Sequence, residues 1–297
     1  LGNYQYSIII TCFNKGTTIL RAAESALAQG PNVEVIIVDD CSDDESQQAL
    51  AKLSKETRLR EILHETNCGA LASYLTGFRA ATGKYLVMLD GDDILLPNIL
   101  NSITDSSLLG LDVCMRMGMA PLNSDTDYRE FKVEKVAKKF TFIPGYLFAV
   151  TQNTGGTAYI FPKRIFEKAD TEWEKISIQD HILPGILSFY CRKFVKLKTV
   201  GYKFEPNYSN NSLGQQTHRK NCERVLSDLQ ILKRAQELKV NLVAQKLLKI
   251  AAFVRVRKYI KKYSIQLPDL SLRLCFEDNE IFHNVCRNVA LAIISQR

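Results

Sequence analysis

The first 120 residues predict an α/β fold in which mostly parallel strands carry helices on both faces. Three observations lead there. Strand-like and helix-like segments alternate, and the strand-like ones are near-continuous apolar runs, as strands buried on both faces must be. Short polar segments, "TCFNK", "DDCSDDE" and "DGDD", stand directly after three of those runs. Ligands of such sheets bind beyond the carboxyl ends of the strands, so these segments mark the candidate site.

The elements follow in order. "YSIIIT" (6–11) is a short β-branched apolar run and reads as the first strand. Ile19, Ala22, Ala23, Ala26 and Leu27 then recur at helical spacing, and Gly30 with Pro31 ends that helix. "VEVIIV" (33–38) reads as a second buried strand. Ser42 and Glu45 have the spacing of a capping box, which predicts a helix running to about Thr57. "LREILHE" is a weaker third strand, and Leu71, Tyr74, Leu75 and Phe78 mark a helix ended near Gly83. "YLVML" is the fourth strand and "LDVCMRMG" the fifth.

Beyond residue 120 the pattern loosens, and "NSDTDYREFKVEKVAKKF" reads as a polar excursion. "TAYIF" (157–161) is a strand, and "PKRIFEKA" a short helix opened by Pro162. "ISIQDHILPGILSFY" reads as a helix interrupted at Pro184 and Gly185, and "FVKLKTVGYKFEP" as one or two strands. Residues 219–263 are mostly helical, and a last helix runs over about 278–295.

Composition narrows the class. With 46% hydrophobic residues in 297, the chain can bury a large core. No run approaches the ~18 apolar residues of a membrane-spanning helix. "LGNYQYSIIITCFN" has no cationic region ahead of its apolar run, so it is not read as a secretory signal. The eight cysteines are scattered and form no C-x-x-C, which disfavours a zinc ribbon or thioredoxin-like site and suits reduced thiols. The expectation is a cytoplasmic protein. Net charge is +7, and residues 233–262 hold ten Lys/Arg against one acid, Glu237. Such a segment can face water, anionic lipid or nucleic acid. No nucleic-acid motif accompanies it.

Two acidic segments carry the chemistry. "YLVMLDGDDILLPNIL" sets Asp90, Asp92 and Asp93 at a strand end, where like charges repel. Mg²⁺ and Mn²⁺ favour oxygen ligands, and a bound ion relieves that repulsion. Taken alone, "DGDD" fits a cation site and a solvated acidic turn equally well. In "VIIVDDCSDDE", Asp39 and Asp40 precede the helix and suit hydrogen bonding to a base or ribose. Asp43, Asp44 and Glu45 suit the positive end of that helix instead. An EF-hand is excluded because no glycine stands at the sixth loop position, and G-x-G-x-x-G is absent.

Together "SIIITCFNK", "VIIVDDCSDDES", "NCGALASYLTGFRAATGKYLVMLDGDD" and "IQDHIL" resemble a family 2 glycosyltransferase of GT-A fold. The similarity is clear over about residues 6–110 and weaker over 150–200. It implies a Rossmann-like nucleotide-binding half with a mixed, mostly parallel central sheet, a nucleotide-sugar donor such as a UDP-sugar, Mn²⁺ or Mg²⁺, and inversion at the anomeric carbon. The expected domain spans 1–218, with 1–120 the nucleotide-sugar half and 121–218 the acceptor half, followed by a helical extension over 219–297.

Carried over by position, the resemblance places Thr11 and Asn14 at the nucleoside, Asp40 on the base, and Asn67 and Gly69 at the border of the donor site. Asp90 and Gly91 would face ribose or sugar, and Asp92 would hold the metal. Asp180 matches the family's catalytic base, and Gln179 stands where the family has Glu. His181 is a competing base. Gly155 and Gly156, in "NTGGTAYIF", would shape the acceptor side, and His218 would complete the metal shell or touch phosphate. The implied acceptor is a glycan or lipid-linked saccharide, with residues 233–262 touching the inner face of an anionic membrane. A non-catalytic nucleotide-sugar-binding subunit and a nucleotidyltransferase are the alternatives. Gln179 is the support for the first, and "TCFNKGTT" is a poor phosphate loop for the second.

Overall fold

The computed structural model describes residues 4–106, 109, 112–124, 133–138, 158–170, 173, 180–206, 217–266 and 278–295. The chain divides into two compact units. One comprises Leu1–Phe140, Gly155–Thr171 and Tyr190–Pro206; the other comprises Thr141–Thr154, Glu172–Phe189 and Asn207–Arg297.

The first unit is built on one mixed sheet. Its strands are β1 (Tyr6–Cys12), β2 (Val33–Asp39), β3 (Leu59–Leu63), β4 (Tyr85–Asp90), β5 (Ile94–Leu95), β6 (Val113–Pro121), β7 (Val133–Lys138), β8 (Tyr159–Pro162) and β9 (Lys193–Phe204). They lie in the order β3-β2-β1-β4-β8-β6-β9-β5, with β7 also on β9. The first four run parallel, and β8 turns antiparallel to β4 and β6.

The side-chain period of two sorts the apolar runs onto both faces. Ile8, Ile10, Val35, Ile37, Val87 and Leu89 share a core with α1 (Ile19–Leu27). On the other face Ile9 meets α3 (Ala70–Ala80) at Gly77, where a side chain would collide with it. The expected cover of helices on both faces is therefore present in this unit, together with α2 (Ser46–Ala51), α4 (Ile99–Asp105) and α5 (Lys163–Ala169).

Four local expectations need correction. The helix after β2 is a short one, Ser46–Ala51, and Ser42 does not cap it: its hydroxyl donates to Asp39 instead. The polar excursion contains a strand, β7, paired antiparallel with β9. A two-residue strand, β5, follows the "DGDD" turn and pairs with β9, so "LDVCMRMG" supplies the sixth strand. The stretch at Pro184 is an uninterrupted helix, α6 (Ile182–Leu187), because Pro184 falls in the first turn, where no intrahelical partner for an N–H is needed.

Among the described residues the second unit carries helices α6, α7 (Thr217–Glu237), α8 (Leu242–Tyr263) and α9 (Asn279–Ser295). Leu229, Leu232, Leu248, Val256, Phe282 and Val289 are buried in it. Gly185 of α6 packs against Ile231 of α7 with no room for a side chain. No described helix is long and apolar enough to cross a membrane. The described cysteines are free thiols, five of them buried.

Candidate functional site

Strand register assembles the site. β1 pairs with β4 so that Thr11 stands beside Asp90, and with β2 so that Cys12 stands beside Asp39. The carboxyl ends of three neighbouring strands therefore bring "TCFNK", "DDCSDDE" and "DGDD" side by side. The chain order reverses direction across the sheet between β1 and β4, the position where open sheets bind ligands.

At the end of β2 the carboxylates are engaged by loop amides. Asp40 accepts from the N–H groups of Cys68 (2.9 Å) and Gly69 (2.7 Å), and its Oδ1 lies 2.8 Å from His64 Nδ1. Gly69 is the residue before α3, at φ 88°, a left-handed conformation that favours glycine. His64 is braced in turn by the Thr76 hydroxyl at 2.9 Å. Asp39 accepts from the Ser42 amide and hydroxyl at 3.0 and 2.5 Å. Asp44 takes the Gly16 amide at 2.8 Å, so it ties the β1 loop to the β2 loop rather than attending to α2 alone. Asn14, at φ 54°, donates its amide to Ser42 and accepts from the Asp43 amide. Asn67 is exposed at the rim.

At the end of β4 the partners are different. Asp90 Oδ1 accepts from the hydroxyls of Tyr74 (2.9 Å) and Thr11 (3.4 Å). Gly91 donates to the Thr11 carbonyl at 3.0 Å, an approach so close that a Cβ would lie 2.7 Å from that oxygen. Asp92 Oδ2 is 2.5 Å from the Lys15 ammonium, while its carbonyl accepts from Arg21, itself 2.9 Å from Glu205. Asp93 is 6% exposed and accepts from the Tyr202 hydroxyl at 2.6 Å and the Glu205 amide at 2.8 Å. Burial, then the charge of Asp90, pushes its carboxyl up to about 8 despite those donors. Asp90 and Asp92 thus bring negative charge into one turn beside the buried Asp93, and a lysine ammonium already answers it at Asp92. Carboxylate oxygens in such a turn suit a hard divalent cation.

A second group of possible ligands lies in the β2 half. Asp40, His64 and Cys68 offer atoms within 4.8 Å of one another. Their present bonds are those of a loop brace.

The second unit holds the remaining candidates. Asp180 is half-buried, and its charge opposes the downward pull of burial on the Lys220 ammonium of α7. His181, 8% exposed, sets Nε2 at 2.6 Å from Asp228, which also binds Arg255 Nε at 2.7 Å. Burial raises the Asp228 carboxyl, but His181 and Arg255 outweigh it and hold the group below its usual range. The geometry gives His181 the contacts of an anchor between α6 and α7. His218 is exposed, with its ring 4.9 Å from that of Tyr263. Gly155, Gly156 and Gln179 lie outside the described residues.

Lys15, Tyr74, Tyr202, His64 and Asp228 were not singled out by sequence. Tyr74 read as core on an apolar helical face, and nothing in the spacing tells that its hydroxyl reaches Asp90. Lys15 lies within "TCFNK", but pairing β1 with β4 is needed to bring it to Asp92, 77 positions away.

The fold is of the GT-A type. Residues 7–116 match the family model Glycosyl transferase family 2, so the resemblance carried by the motifs holds over those residues. Succinoglycan biosynthesis protein ExoO of Rhizobium meliloti is 38% identical over 100 residues, covering 33% of this chain and 28% of that protein. The Escherichia coli UDP-Glc:alpha-D-GlcNAc-diphosphoundecaprenol beta-1,3-glucosyltransferase WfaP is 38% identical over 88 residues, covering 29% of this chain and 35% of that one. The chain thus spans 28% to 35% of the length of these curated relatives. Among solved structures, S. aureus TarS 1-349 superposes with a TM-score of 0.67 at 14% identity, over 98% of this chain and 83% of TarS 1-349. The same protein in complex with UDP-GlcNAc gives 0.60 at 15% identity, over 98% and 91%. At that identity the likeness establishes the GT-A fold.

Proposed function

We propose that the chain transfers a hexosyl or N-acetylhexosaminyl group from a UDP-sugar to a hydroxyl of a glycan or lipid-linked saccharide. The reaction is a one-step inverting displacement in polysaccharide or cell-surface glycan synthesis. The observation that carries this reading is the turn of Asp90 and Asp92 after β4, set beside the β1 loop at the sheet's reversal point with the Lys15 ammonium on Asp92. The UDP-GlcNAc complex of TarS and the UDP-Glc donor in the name of WfaP support the donor class.

The residues take these parts. Asp40, fixed by the Cys68 and Gly69 amides and by His64, keeps the β2 loop in the shape that receives the base, with Thr11, Asn14, Asn67 and Gly69 around it. Asp90, oriented by Tyr74 and Thr11, meets ribose or sugar. Gly91 lets the turn pack against the Thr11 carbonyl, which sets the donor-facing Asp90 beside the β1 loop. Asp92 would hold a divalent ion, Mn²⁺ or Mg²⁺, which when bound would offset the charge of the diphosphate leaving group. Asp180 takes the proton of the acceptor hydroxyl as that oxygen attacks. His181, bonded to Asp228, keeps the start of α6 in place beside it.

The test is a panel of nucleotide sugars assayed for UDP release with and without Mn²⁺, in wild type and Asp180→Asn. Metal-dependent release that Asp180→Asn abolishes, with UDP still bound, supports the reading; release unchanged in that variant removes Asp180 as the base. Membrane contact is part of the proposal. Leu242, Val243, Ile250 and Val254 of α8 are exposed alongside Lys246, Arg257 and Lys258, a mixed face suited to anionic lipid. Lys249 and Arg255 turn inward, to Phe282 and Asp228. Co-sedimentation with phosphatidylglycerol vesicles, lost in Ile250→Glu/Val254→Glu, checks it.

A further inference from the structure

Lys15 holds a position that its sequence neighbours do not explain. Its backbone is pinned: the amide donates to Ser46 Oγ at 3.0 Å, and the carbonyl accepts from Thr18 and Ile19 at 2.8 Å each. Its side chain runs past Gly91, where a Cβ would lie 3.4 Å from Lys15 Cγ, and ends 2.5 Å from Asp92 Oδ2. A fixed root with a flexible stem can swing its charge without moving the loop.

The neighbouring cation behaves differently. Arg21 bridges the Asp92 carbonyl and the Glu205 carboxylate, so its guanidinium is tied into the scaffold. The Lys15–Asp92 pair is partly exposed, with side chains 27% and 15% accessible. Water reaches both groups and screens part of their attraction, so folding alone is an incomplete reason for the pair. The charge pattern supplies a stronger one. Asp92 shares its turn with the Asp90 carboxylate, and the Lys15 ammonium there does part of what a divalent ion would do. A lysine is a compact mobile charge and a good phosphate partner, whereas a hard divalent ion has the stronger claim on carboxylate oxygen.

Resting on the donor-site reading above, we propose that Lys15 is a second, exchangeable cation of that site. It neutralises Asp92 while no metal is bound, and it turns to the diphosphate oxygens once a divalent ion takes Asp92. Lys15 would then be a donor-binding residue that also sets the apparent metal affinity.

The experiment compares full-length wild type with Lys15→Met, Lys15→Arg and Asp92→Asn, their folding checked by thermal melting. Mn²⁺ alone is titrated by the electron paramagnetic resonance of the free ion, and UDP with saturating Mn²⁺ is titrated by calorimetry. Lys15→Met should bind Mn²⁺ alone ~3-fold to 10-fold more tightly, since its competitor is gone, and UDP ~10-fold more weakly. Lys15→Arg should stay near wild type in both. Unchanged or weaker Mn²⁺ binding in Lys15→Met, unchanged UDP binding, or an Arg variant that behaves like Met would each overturn the proposal. Asp92→Asn separates the two levels. If it binds Mn²⁺ as wild type does, the donor-site reading falls and takes Lys15 with it; if it loses Mn²⁺ while Lys15→Met changes nothing, the Lys15 inference alone falls.

Discussion

The ends of β2 and β4 carry nearly the same letters, "VDDCSDDE" and "LDGDD", and do opposite things with them. After β2, carboxylates meet backbone amides, from their own loop at Ser42 on Asp39 and from other loops at Cys68 and Gly69 on Asp40 and Gly16 on Asp44. Each such bond spends the negative charge on holding a loop. After β4, Asp90 meets hydroxyls and Asp92 meets a lysine, while the buried Asp93 accepts the Glu205 amide and the Tyr202 hydroxyl with its carboxyl pushed up to about 8. Charge that amides satisfy builds shape; charge left crowded in a turn attracts a cation.

The largest effect should come from the crowded turn. Asp92→Asn should lower metal-dependent UDP-sugar turnover by on the order of 10²–10³-fold while the melting temperature stays put or rises. A melting temperature that fell with activity would place Asp92 among the loop builders. Asp40→Asn should do the reverse in kind. It brings an NH₂ among donors that need an acceptor, so urea unfolding should show a loss of ~2 kcal/mol together with weaker UDP binding.

Glu34, at the opposite end of β2, extends the amide-satisfied class and adds a pH signature. Burial raises its carboxyl, but the Ser7 hydroxyl, the Thr82 amide and hydroxyl, and the Gly83 amide outweigh that and hold it below 4.5. A group lowered in the folded state contributes stability above its unfolded value and loses it as pH falls through the folded one. Glu34→Gln should therefore cost about 1–2 kcal/mol at pH 7, with the gap to wild type closing below about pH 4.5. A gap that held constant into acid would show that the charge contributes nothing. The smallest effect is expected at Tyr74→Phe, which leaves the ring packed and removes one hydroxyl from Asp90; sugar-donor turnover should drop by ~2-fold to 10-fold with little change in stability.

Much of this was legible in the sequence, and the gaps have physical causes. β1, β2, β4, α1 and α3 carry unbroken apolar runs or helical spacing, so period alone places them. β5 has two residues and β7 is polar; both exist because β9 offers an edge, and no local pattern can announce a partner far along the chain. Ser42 and Glu45 had the spacing of a capping box, yet Asp39 claims the serine first. The acidic segments themselves were visible. Their difference was not, because the amides of Cys68 and Gly69 and the Lys15 ammonium reach them only after the strands have paired.

The central claim is that the turn after β4 holds a cation together with the donor's diphosphate. A crystal soaked with Mn²⁺ and UDP, with anomalous scattering measured for the metal, tests it most directly. The expected result is one manganese peak within bonding distance of Asp92, with the uracil against the Asp40 loop. A peak at the Asp40, His64 and Cys68 cluster instead, with Asp92 still paired to Lys15, would contradict it.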